Sequence, residues 1–248
     1  MKALVLCAGL GTRLGELTRE TPKPLLPVGG EPLIAHTLRY LAHHGFDRVA
    51  INLHFKAALI RAYVGTGERF GIEVTYSPEE RLLGTAGAVK RLADFWEGER
   101  EFLVVYGDLL VDEDLGTMLR LHRARGAVTT LLLHRRPGSN SLVRMAADGR
   151  ITAFIEHPAE EERRAMPRPW VNSGVQILGP SILDAIPDDR PSDLPRDVYV
   201  PLLERVPVFG HPLAGYRCAI DSPARYAEAR VAFDTGRYRG PSRQGEEQ

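Results

Sequence analysis

Several features that would assign this chain to a particular class of protein are missing from its sequence. It has only two cysteines, Cys7 and Cys218, and they form no close-spaced pair. Such sparse cysteine usage fits a reducing cytoplasm. The eight histidines show no metal-binding spacing. The sequence therefore offers neither a disulfide framework nor a cysteine- or histidine-ligated metal site.

A long hydrophobic run and a net charge are also absent. No stretch approaches the roughly 20 apolar residues of a membrane span. The apolar start is too short for a signal peptide and runs directly into Gly9 and Gly11. Lys plus Arg equals Asp plus Glu at 32 each, so nothing draws the chain to nucleic acid or to an anionic membrane. We expect a cytoplasmic protein with neither partner, in which any phosphate site is local.

The pattern that is present is typical of an α/β fold. The composition is 44% hydrophobic and 26% charged, which is ordinary for a globular protein. Strands and helices alternate in the first half with short connections, which predicts parallel strands and right-handed crossovers. We expect a Rossmann-like, mostly parallel open sheet with helices on both faces. The second half contains more strands, including a hairpin around Asp148-Gly149.

The chain shows no linker between independent domains. We predict one domain over residues 1–233, with a nucleotide-binding half at 1–135 and a smaller, β-rich half at 136–233. The polar segment 234–248 is predicted to be a mobile tail. The exposed faces of the second half can support a homodimer, but no residue marks one.

Three segments follow predicted strands and should therefore share one edge of the sheet. They are Gly9 to Arg13, Gly84 to Gly87, and Asp108. In open α/β sheets, ligands bind at the carboxyl ends of the strands. This edge is the predicted ligand site.

The first of these segments has the chemistry of a polyphosphate site. Gly9 and Gly11 allow the backbone to turn tightly, Arg13 follows them, and Lys23 stands between Pro22 and Pro24. Exposed backbone N–H groups with two cations suit phosphate oxygens. An ordinary loop would explain the glycines alone, but not the two cations with them.

Two common phosphate motifs do not match this loop. The dinucleotide-binding pattern needs a third glycine where Leu14 stands, and the P-loop needs a Gly-Lys-Ser/Thr sequence that the chain lacks. The combination that is present, Gly9-x-Gly11-Thr12-Arg13 followed by Pro22-Lys23-Pro24-Leu25-Leu26-Pro27, resembles the sugar-1-phosphate nucleotidyltransferases.

The resemblance continues along most of the chain. The matching stretches, in order, are Leu83-Gly84-Thr85-Ala86-Gly87, Tyr106-Gly107-Asp108, Phe154-Ile155-Glu156-His157-Pro158, Val171-Asn172-Ser173-Gly174, and Asp197-Val198 with Pro201-Leu202-Leu203. The last of these is typical of the mannose-1-phosphate guanylyltransferase branch.

The resemblance implies a role for each matching position. Arg13 would contact the triphosphate and the leaving pyrophosphate, and Lys23 the α-phosphate. Asp108 would hold Mg²⁺, while Glu156 and Asn172 would contact the sugar phosphate. The implied nucleotide-binding residues are Leu6, Ala8, Gly9, Gly11, Thr12, Gly84 and Thr85.

The implied activity is Mg²⁺-dependent transfer of a nucleotidyl group from a nucleoside triphosphate to a sugar 1-phosphate, with release of pyrophosphate. GTP and mannose 1-phosphate, or a related aldose phosphate, are favoured. Uridylyl, thymidylyl or cytidylyl transfer to another sugar 1-phosphate or to phosphocholine stays open. A hypothesis of another class is a regulatory module that binds a nucleotide sugar without turnover.

Two departures bear on these alternatives. His157 stands where the family has a lysine that contacts the sugar phosphate, and histidine is shorter and only partly charged near neutral pH. Ala219 stands where many members place a second metal ligand, and Asp221 follows two residues later. Side chains two apart in a strand point the same way. Asp221 is therefore predicted to replace the missing ligand, and its alternative role is that of an aspartate flanking a helix.

Overall fold

The computed structural model describes residues 1–137, 139, 141–156, 158–166 and 168–241. His157 and residues 242–248 of the predicted tail lie outside the described residues. The strands, in chain order, are β1 (Lys2–Leu6), β2 (Pro27–Val28), β3 (Glu31–Pro32), β4 (Arg48–Leu53), β5 (Glu73–Pro78), β6 (Phe102–Tyr106), β7 (Leu109–Val111), β8 (Thr129–Arg135), β9 (Ser141–Met145), β10 (Ile151–Glu156), β11 (Trp170–Leu178), β12 (Val208–Pro212) and β13 (Arg217–Ala219).

The α-helices are fewer and mostly short. They are α1 (Leu33–His43), α2 (Ala57–Val64), α3 (Gly84–Lys90), α4 (Leu115–Ala124), α5 (Glu160–Ala165), α6 (Val200–Leu202) and α7 (Pro223–Asp234). Short 3₁₀ turns cover Thr12–Thr18, Lys23–Leu25, Glu68–Phe70, Ala93–Trp96 and Pro180–Ala185, and a π-helical turn covers Leu194–Tyr199.

The chain folds into two compact units, and neither is continuous in sequence. The first contains Met1–Leu82, Val105–Asp114 and the residues from Ala214 onward. The second contains Leu83–Val104 and Leu115–Leu213. The functional division at residue 135 stays a prediction, since these units are defined by packing alone.

Parallel strands form the sheet of the first unit. β1 pairs with β4 in the register Lys2↔Arg48, and β4 pairs with β5 in the register Arg48↔Glu73. The middle of β1 is fully buried, as expected for a parallel strand covered on both faces. Helix α1 also buries most of its residues. The prediction of a Rossmann-like, mostly parallel sheet with helices is confirmed.

A second apolar cluster of the first unit surrounds the antiparallel pair of β7 and β13. Leu110, Cys218 and Tyr226 lie in it, together with Leu14 from the turn after the glycine loop. Tyr238 is also buried there, and its backbone N–H donates to the Ala232 carbonyl at 3.0 Å. The Tyr238 side chain is thus part of the apolar core of the first unit, and the mobile tail over residues 234–248 stays a prediction.

The second unit has a mostly antiparallel arrangement. β11 pairs with both β8 and β9, and β9 pairs with β10, which confirms the hairpin predicted around Asp148-Gly149. β12 pairs in parallel with β8, whereas β13 pairs with β7. The two strands that are neighbours in the last part of the chain thus do not pair with each other.

Within the described part of the chain, no helix is both long enough and apolar enough to cross a membrane.

Candidate active site

The glycine loop begins where β1 ends, and a buried asparagine fixes its first residue. The backbone N–H of Cys7 donates to Asn52 Oδ1 at 2.7 Å, and Asn52 Nδ2 donates to Glu79 Oε1 at 2.8 Å. Asn52 is the second-last residue of the neighbouring strand β4, and Glu79 directly follows β5. The carboxyl ends of three parallel strands are therefore linked by side-chain hydrogen bonds at the start of the loop.

The loop itself is shaped by Gly11 and Thr18. Gly11 has φ +70°, in the left-handed region that favours glycine. The Thr18 hydroxyl, which is buried, donates to the Gly11 carbonyl at 2.9 Å. Ala8 is buried, whereas Gly9, Thr12 and Arg13 are exposed. The hydrogen bond from Thr18 therefore holds the loop backbone, while the residues predicted to bind phosphate are exposed to solvent.

Lys23 lies on a short 3₁₀ turn that restricts its backbone. Pro22 precedes it and Pro24 follows, and the Leu26 N–H donates to the Lys23 carbonyl at 3.1 Å. The Lys23 side chain is 13% exposed, and its Nζ lies 2.6 Å from Asp108 Oδ2. The structure thus brings together two of the predicted site residues that are 85 positions apart in the chain.

Asp108 and Asp221 are placed by neighbouring backbone segments. The Gly107 N–H donates to the Leu6 carbonyl at 2.9 Å, which sets Asp108 beside the end of β1. The Ile220 N–H donates to the Asp108 carbonyl at 2.8 Å, so Asp221 follows directly after this contact. Asp221 Oδ2 lies 4.0 Å from Arg13 Nη1. Arg13, Lys23, Asp108 and Asp221 therefore form one group in the first unit.

The alternative role for Asp221, that of a helix-flanking aspartate, is already filled by its neighbour. Ser222 is the N-cap of α7, and its hydroxyl accepts a hydrogen bond from the Arg225 N–H at 3.3 Å. The Asp221 carboxylate is 22% exposed and faces Arg13 instead. The Asp221 carboxylate therefore does not cap α7 and lies near the Arg13 guanidinium.

Cys7 is buried close to Asp108, and its thiol has no part in the predicted site. Complete burial, and secondarily the nearby Asp108 carboxylate, raise the pKa of the Cys7 thiol well above its usual range. This shift favours the neutral thiol, the less reactive form of cysteine. Cys218 is also buried and free.

The donor set of Asp108 and Asp221 suits Mg²⁺. Among the described residues, no group of three or more His, Cys, Asp or Glu side chains could hold a metal. Mg²⁺ does not require such a cage, since it commonly takes one or two carboxylates and completes its shell with substrate phosphates and water. Two hard carboxylates beside two cations that are predicted to bind phosphate fit that mode.

In the second unit, the turn containing Gly84 and Thr85 is locked onto the segment Ser192–Leu194. The Ser192 carbonyl accepts the N–H of Ala86 at 2.9 Å and of Gly87 at 3.3 Å. Gly84 has φ +76°, and a Cβ there would lie 2.3 Å from the Ser192 oxygen. The glycine is required by both its backbone angle and the close approach of another chain segment.

The Thr85 hydroxyl is used within the protein. It donates to Asp193 Oδ1 at 3.3 Å and accepts the Leu194 N–H at 2.8 Å. Thr85 is predicted to bind the nucleotide. Its hydroxyl already has a donor and an acceptor partner, and its backbone N–H also donates to Asp193 Oδ1 at 3.1 Å, so its contact with a nucleotide stays a prediction.

The same segment is tied down by Asp197. Its carboxylate accepts the Asp193 N–H at 2.7 Å and pairs with Arg196 at 2.9 Å and with Arg190 at 3.2 Å. Hydrogen bonding to Arg196, with further contributions from Asp193 N–H and Arg190, lowers the pKa of Asp197 from 3.8 to about 2. Its side chain is only 8% exposed. Asp197 is therefore an ionised anchor of the segment that supports the Gly84 turn.

We expect Asp197 to contribute stability that is lost in acid. Its pKa is lower in the folded than in the unfolded chain, so the contribution is complete above the unfolded value of about 4 and disappears as the pH falls through about 2. Asp197→Asn should remove about 1 to 2 kcal/mol of unfolding free energy near neutral pH and little near pH 2. Urea unfolding at several pH values measures this. Asp189→Asn, at an exposed position, is the control, and parallel curves for the wild type and Asp197→Asn would contradict the expectation.

The two predicted sugar-phosphate residues lie on the two strands of the second unit that flank β9. Glu156 is the last residue of β10, and Asn172 belongs to β11; both strands pair with β9. Asn172 Oδ1 accepts the Gly174 N–H at 3.0 Å, next to an irregularity in the register with β8 between Asn172 and Gln176. Asn172 thus helps to shape the backbone of Val171–Gly174, and its contact with a ligand stays a prediction.

Comparison with known families agrees with the motifs and with this geometry. The sequence model described as "Nucleotidyl transferase" matches residues 2–209. The chain belongs to the nucleotidyl transferase family. The match includes Arg13, Lys23 and Asp108, and it stops before Asp221.

Curated relatives of this family member include two sugar-phosphate enzymes. The chain is 34% identical over 218 residues to a UTP–glucose-1-phosphate uridylyltransferase of Synechocystis, covering 82% of this chain and 55% of the relative. It is 30% identical over 247 residues to a mannose-1-phosphate guanylyltransferase of Mycobacterium tuberculosis, covering 98% of this chain and 67% of the relative. The chain thus spans only about half of the first relative and two thirds of the second.

Solved structures share the fold of this nucleotidyl transferase family member. HddC from Yersinia pseudotuberculosis superposes with a TM-score of 0.78 at 22% identity, covering 94% of this chain and 99% of that one. A Bacillus anthracis protein in complex with sucrose, provisionally assigned as a glucose-1-phosphate thymidylyltransferase, gives a TM-score of 0.83 at 21% identity, covering 94% and 95%.

Sequence reasoning missed the residues whose hydrogen bonds hold the candidate segments in place. They are Thr18, Asn52 and Glu79 in the first unit, and Ser192 and Asp193 in the second. Asn52 and Glu79 carry a usable signal, since each is a polar residue at the carboxyl end of a parallel strand. Thr18, Ser192 and Asp193 carry no such signal. Each forms a hydrogen bond with a backbone group of another segment, and the sequence does not show which segment lies beside it.

Proposed function

We propose that this nucleotidyl transferase family member transfers a nucleotidyl group from a nucleoside triphosphate to a sugar 1-phosphate and releases pyrophosphate. The observation that carries the proposal is the group formed by Arg13, Lys23, Asp108 and Asp221, in which Lys23 Nζ lies 2.6 Å from Asp108. Two cations and two carboxylates gathered beside the carboxyl end of β1 suit a metal–triphosphate complex.

The reaction needs positioning and charge stabilisation more than proton transfer. A sugar 1-phosphate is already ionised near neutral pH, so its oxygen can attack the α-phosphorus without a general base. The chain must bring two polyanions together and stabilise the charge that develops on the departing pyrophosphate. Among side chains, guanidinium and ammonium groups serve this purpose best.

Each residue of the group has a distinct part in the proposal. Arg13, which is 72% exposed and reaches into solvent, binds the β- and γ-phosphates that leave as pyrophosphate. Lys23 is a compact charge on a restrained backbone and stabilises the α-phosphate during transfer. Asp108 and Asp221 would hold Mg²⁺, which supplies neutralisation of phosphate charge when bound. Glu156 and Asn172 are proposed to bind the acceptor.

Guanylyl transfer to mannose 1-phosphate, or to a related aldose phosphate, is the favoured pair. It is supported by the Gly84-Thr85-Ala86-Gly87 turn and by the alignment with the Mycobacterium tuberculosis guanylyltransferase over 98% of this chain. Uridylyl transfer to glucose 1-phosphate is the second candidate, because the Synechocystis uridylyltransferase is 34% identical.

A panel of substrates tests the proposal. Purified protein is incubated with Mg²⁺, each of five nucleoside triphosphates and several sugar 1-phosphates, and pyrophosphate release is measured. We expect release with GTP and mannose 1-phosphate above all other pairs. Release with UTP and glucose 1-phosphate would select the second candidate. Nucleotide binding without pyrophosphate release from any pair would contradict the proposed activity and favour a regulatory module that binds without turnover.

Asp221 has its own test within this proposal. We expect Asp221→Ala to lower kcat/KM by at least about tenfold, since loss of groups that hold or orient a metal costs this much or more. Asp189→Ala, at an exposed position, should keep wild-type activity. Asp112 is unsuitable as a control, because its carboxylate holds the Tyr216 and Arg239 N–H groups. Equal activity of the Asp221 and Asp189 variants would remove Asp221 from the metal site.

A further inference from the structure

The charged groups of the candidate site are paired with one another. Lys23 Nζ and Asp108 Oδ2 are 2.6 Å apart, and their side chains are only 13% and 24% exposed. Arg13 and Asp221 form a second, looser pair at 4.0 Å, in which the arginine is 72% exposed. Each phosphate-binding cation thus faces a carboxylate that is assigned to the metal.

The tighter pair opposes the binding of either ligand alone. A divalent cation that approaches Asp108 meets the Lys23 ammonium at the same carboxylate, and the two positive charges repel each other. A phosphate that approaches Lys23 likewise meets the Asp108 carboxylate. These effects are substantial because both side chains are partly buried. Charges in such positions are screened less than charges in water.

We propose that the Lys23–Asp108 ion pair couples metal binding to triphosphate binding. Either ligand alone must break the pair and leave one of its two charges without a partner. When both bind, the pair is broken once, and each charge gains a new partner: the carboxylate takes the metal and the ammonium takes a phosphate. The ligands therefore strengthen each other's binding reciprocally. The inference relies on the proposed function for the identity of the two ligands.

The Arg13–Asp221 pair contributes less to this coupling. Its separation of 4.0 Å and the high exposure of Arg13 leave it close to an ordinary surface ion pair, which is weak. The coupling therefore resides mainly in Lys23, and one substitution suffices to test it.

Binding of Mn²⁺ in the absence of nucleotide provides the test. Free Mn²⁺ is measured by electron paramagnetic resonance during titration of the full chain. We expect Lys23→Met to bind Mn²⁺ at least about fivefold more tightly than the wild type, the lower end of typical coupling between sites. Asp108→Asn should lose this binding, which locates it at the site. Unchanged or weaker Mn²⁺ binding by Lys23→Met would overturn the proposal.

Lys90→Met is the matched control. Lys90 also forms an ion pair with an aspartate, since its Nζ lies 3.2 Å from Asp188 Oδ1, but it belongs to the second unit. We expect its Mn²⁺ affinity to equal that of the wild type. A gain as large as that of Lys23→Met would show that removal of any lysine tightens binding, and would also overturn the proposal.

Melting of the metal-free protein tests the ion pair by a separate route. In the presence of EDTA, the melting temperatures of Lys23→Met, Asp108→Asn and the double variant form a thermodynamic cycle. We expect the double variant to lose less than the sum of the two single losses. Strictly additive losses would contradict a pair in the free protein. Neither measurement requires turnover. Lack of activity in the substrate panel would contradict the proposed function, whereas the coupling is judged by Mn²⁺ binding and melting alone.

Discussion

Lys23→Met should lower kcat/KM by roughly 10²- to 10³-fold, the usual cost of removing one preorganised group that stabilises transition-state charge. Lys23 is preorganised because its backbone lies on a 3₁₀ turn between two prolines and its side chain is 13% exposed. Pyrophosphate release with the best substrate pair measures the effect. We expect kcat to fall more than KM rises, since the lysine acts mainly on the transferring phosphate.

The comparison with metal binding makes this result specific. The same variant is expected to bind Mn²⁺ more tightly while it loses activity, a combination that misfolding would not produce. Lys90→Met should keep both properties. An activity of Lys23→Met within about threefold of the wild type would be incompatible with the loss of a preorganised charge.

Gly84→Ala should destabilise the second unit by about 3 kcal/mol or more, because two unfavourable terms are combined. The residue has φ +76°, and the new Cβ would lie 2.3 Å from the Ser192 oxygen and 2.8 Å from the Ser192 carbonyl carbon. Both of these are backbone atoms that cannot rotate away. We also expect weaker nucleotide binding, since the turn must move. Urea unfolding and nucleotide titration measure the two effects.

Gly98→Ala separates the two causes of that loss. Gly98 has nearly the same backbone angle, φ +79°, but a Cβ there would meet no atom within 4 Å. Its variant should lose only the backbone term, about 1 to 2 kcal/mol. Equal losses at Gly84 and Gly98 would show that the contact with Ser192 is relieved at little cost.

The fold could be predicted from the sequence where local patterns determine it. Continuous apolar stretches predicted β1 and β6, and Asp148-Gly149 predicted the hairpin of β9 and β10. The pairing of β12 with β8 and of β13 with β7 could not be predicted, because the short stretch between β12 and β13 gives no indication that they separate. The burial of Tyr238 was missed for a similar reason, since the rings that contact it include His36 of α1 and Tyr216, which precedes β13.

The residues of the candidate site also fall into two classes, those that the sequence could predict and those that it could not. Gly11, Arg13 and Lys23 stand close together in the sequence, and Asp108 directly follows a buried strand, so motif and strand ends were sufficient to select them. Thr18 acts through a hydrogen bond to a backbone carbonyl, and almost any polar residue in a loop could do so. The sequence pattern therefore did not distinguish it from its neighbours.

By itself, the sequence determined the family, the parallel sheet and the choice of candidate site residues, because these depend on short motifs and on the periodicity of each element. Only the tertiary structure decided how those residues are paired. Lys23 meets Asp108 across 85 positions, and Thr85 meets Asp193 across 108. Such contacts depend on how distant strands and turns pack. A motif records the type of charge at each position, whereas the partner that each charge finds is a property of the folded chain.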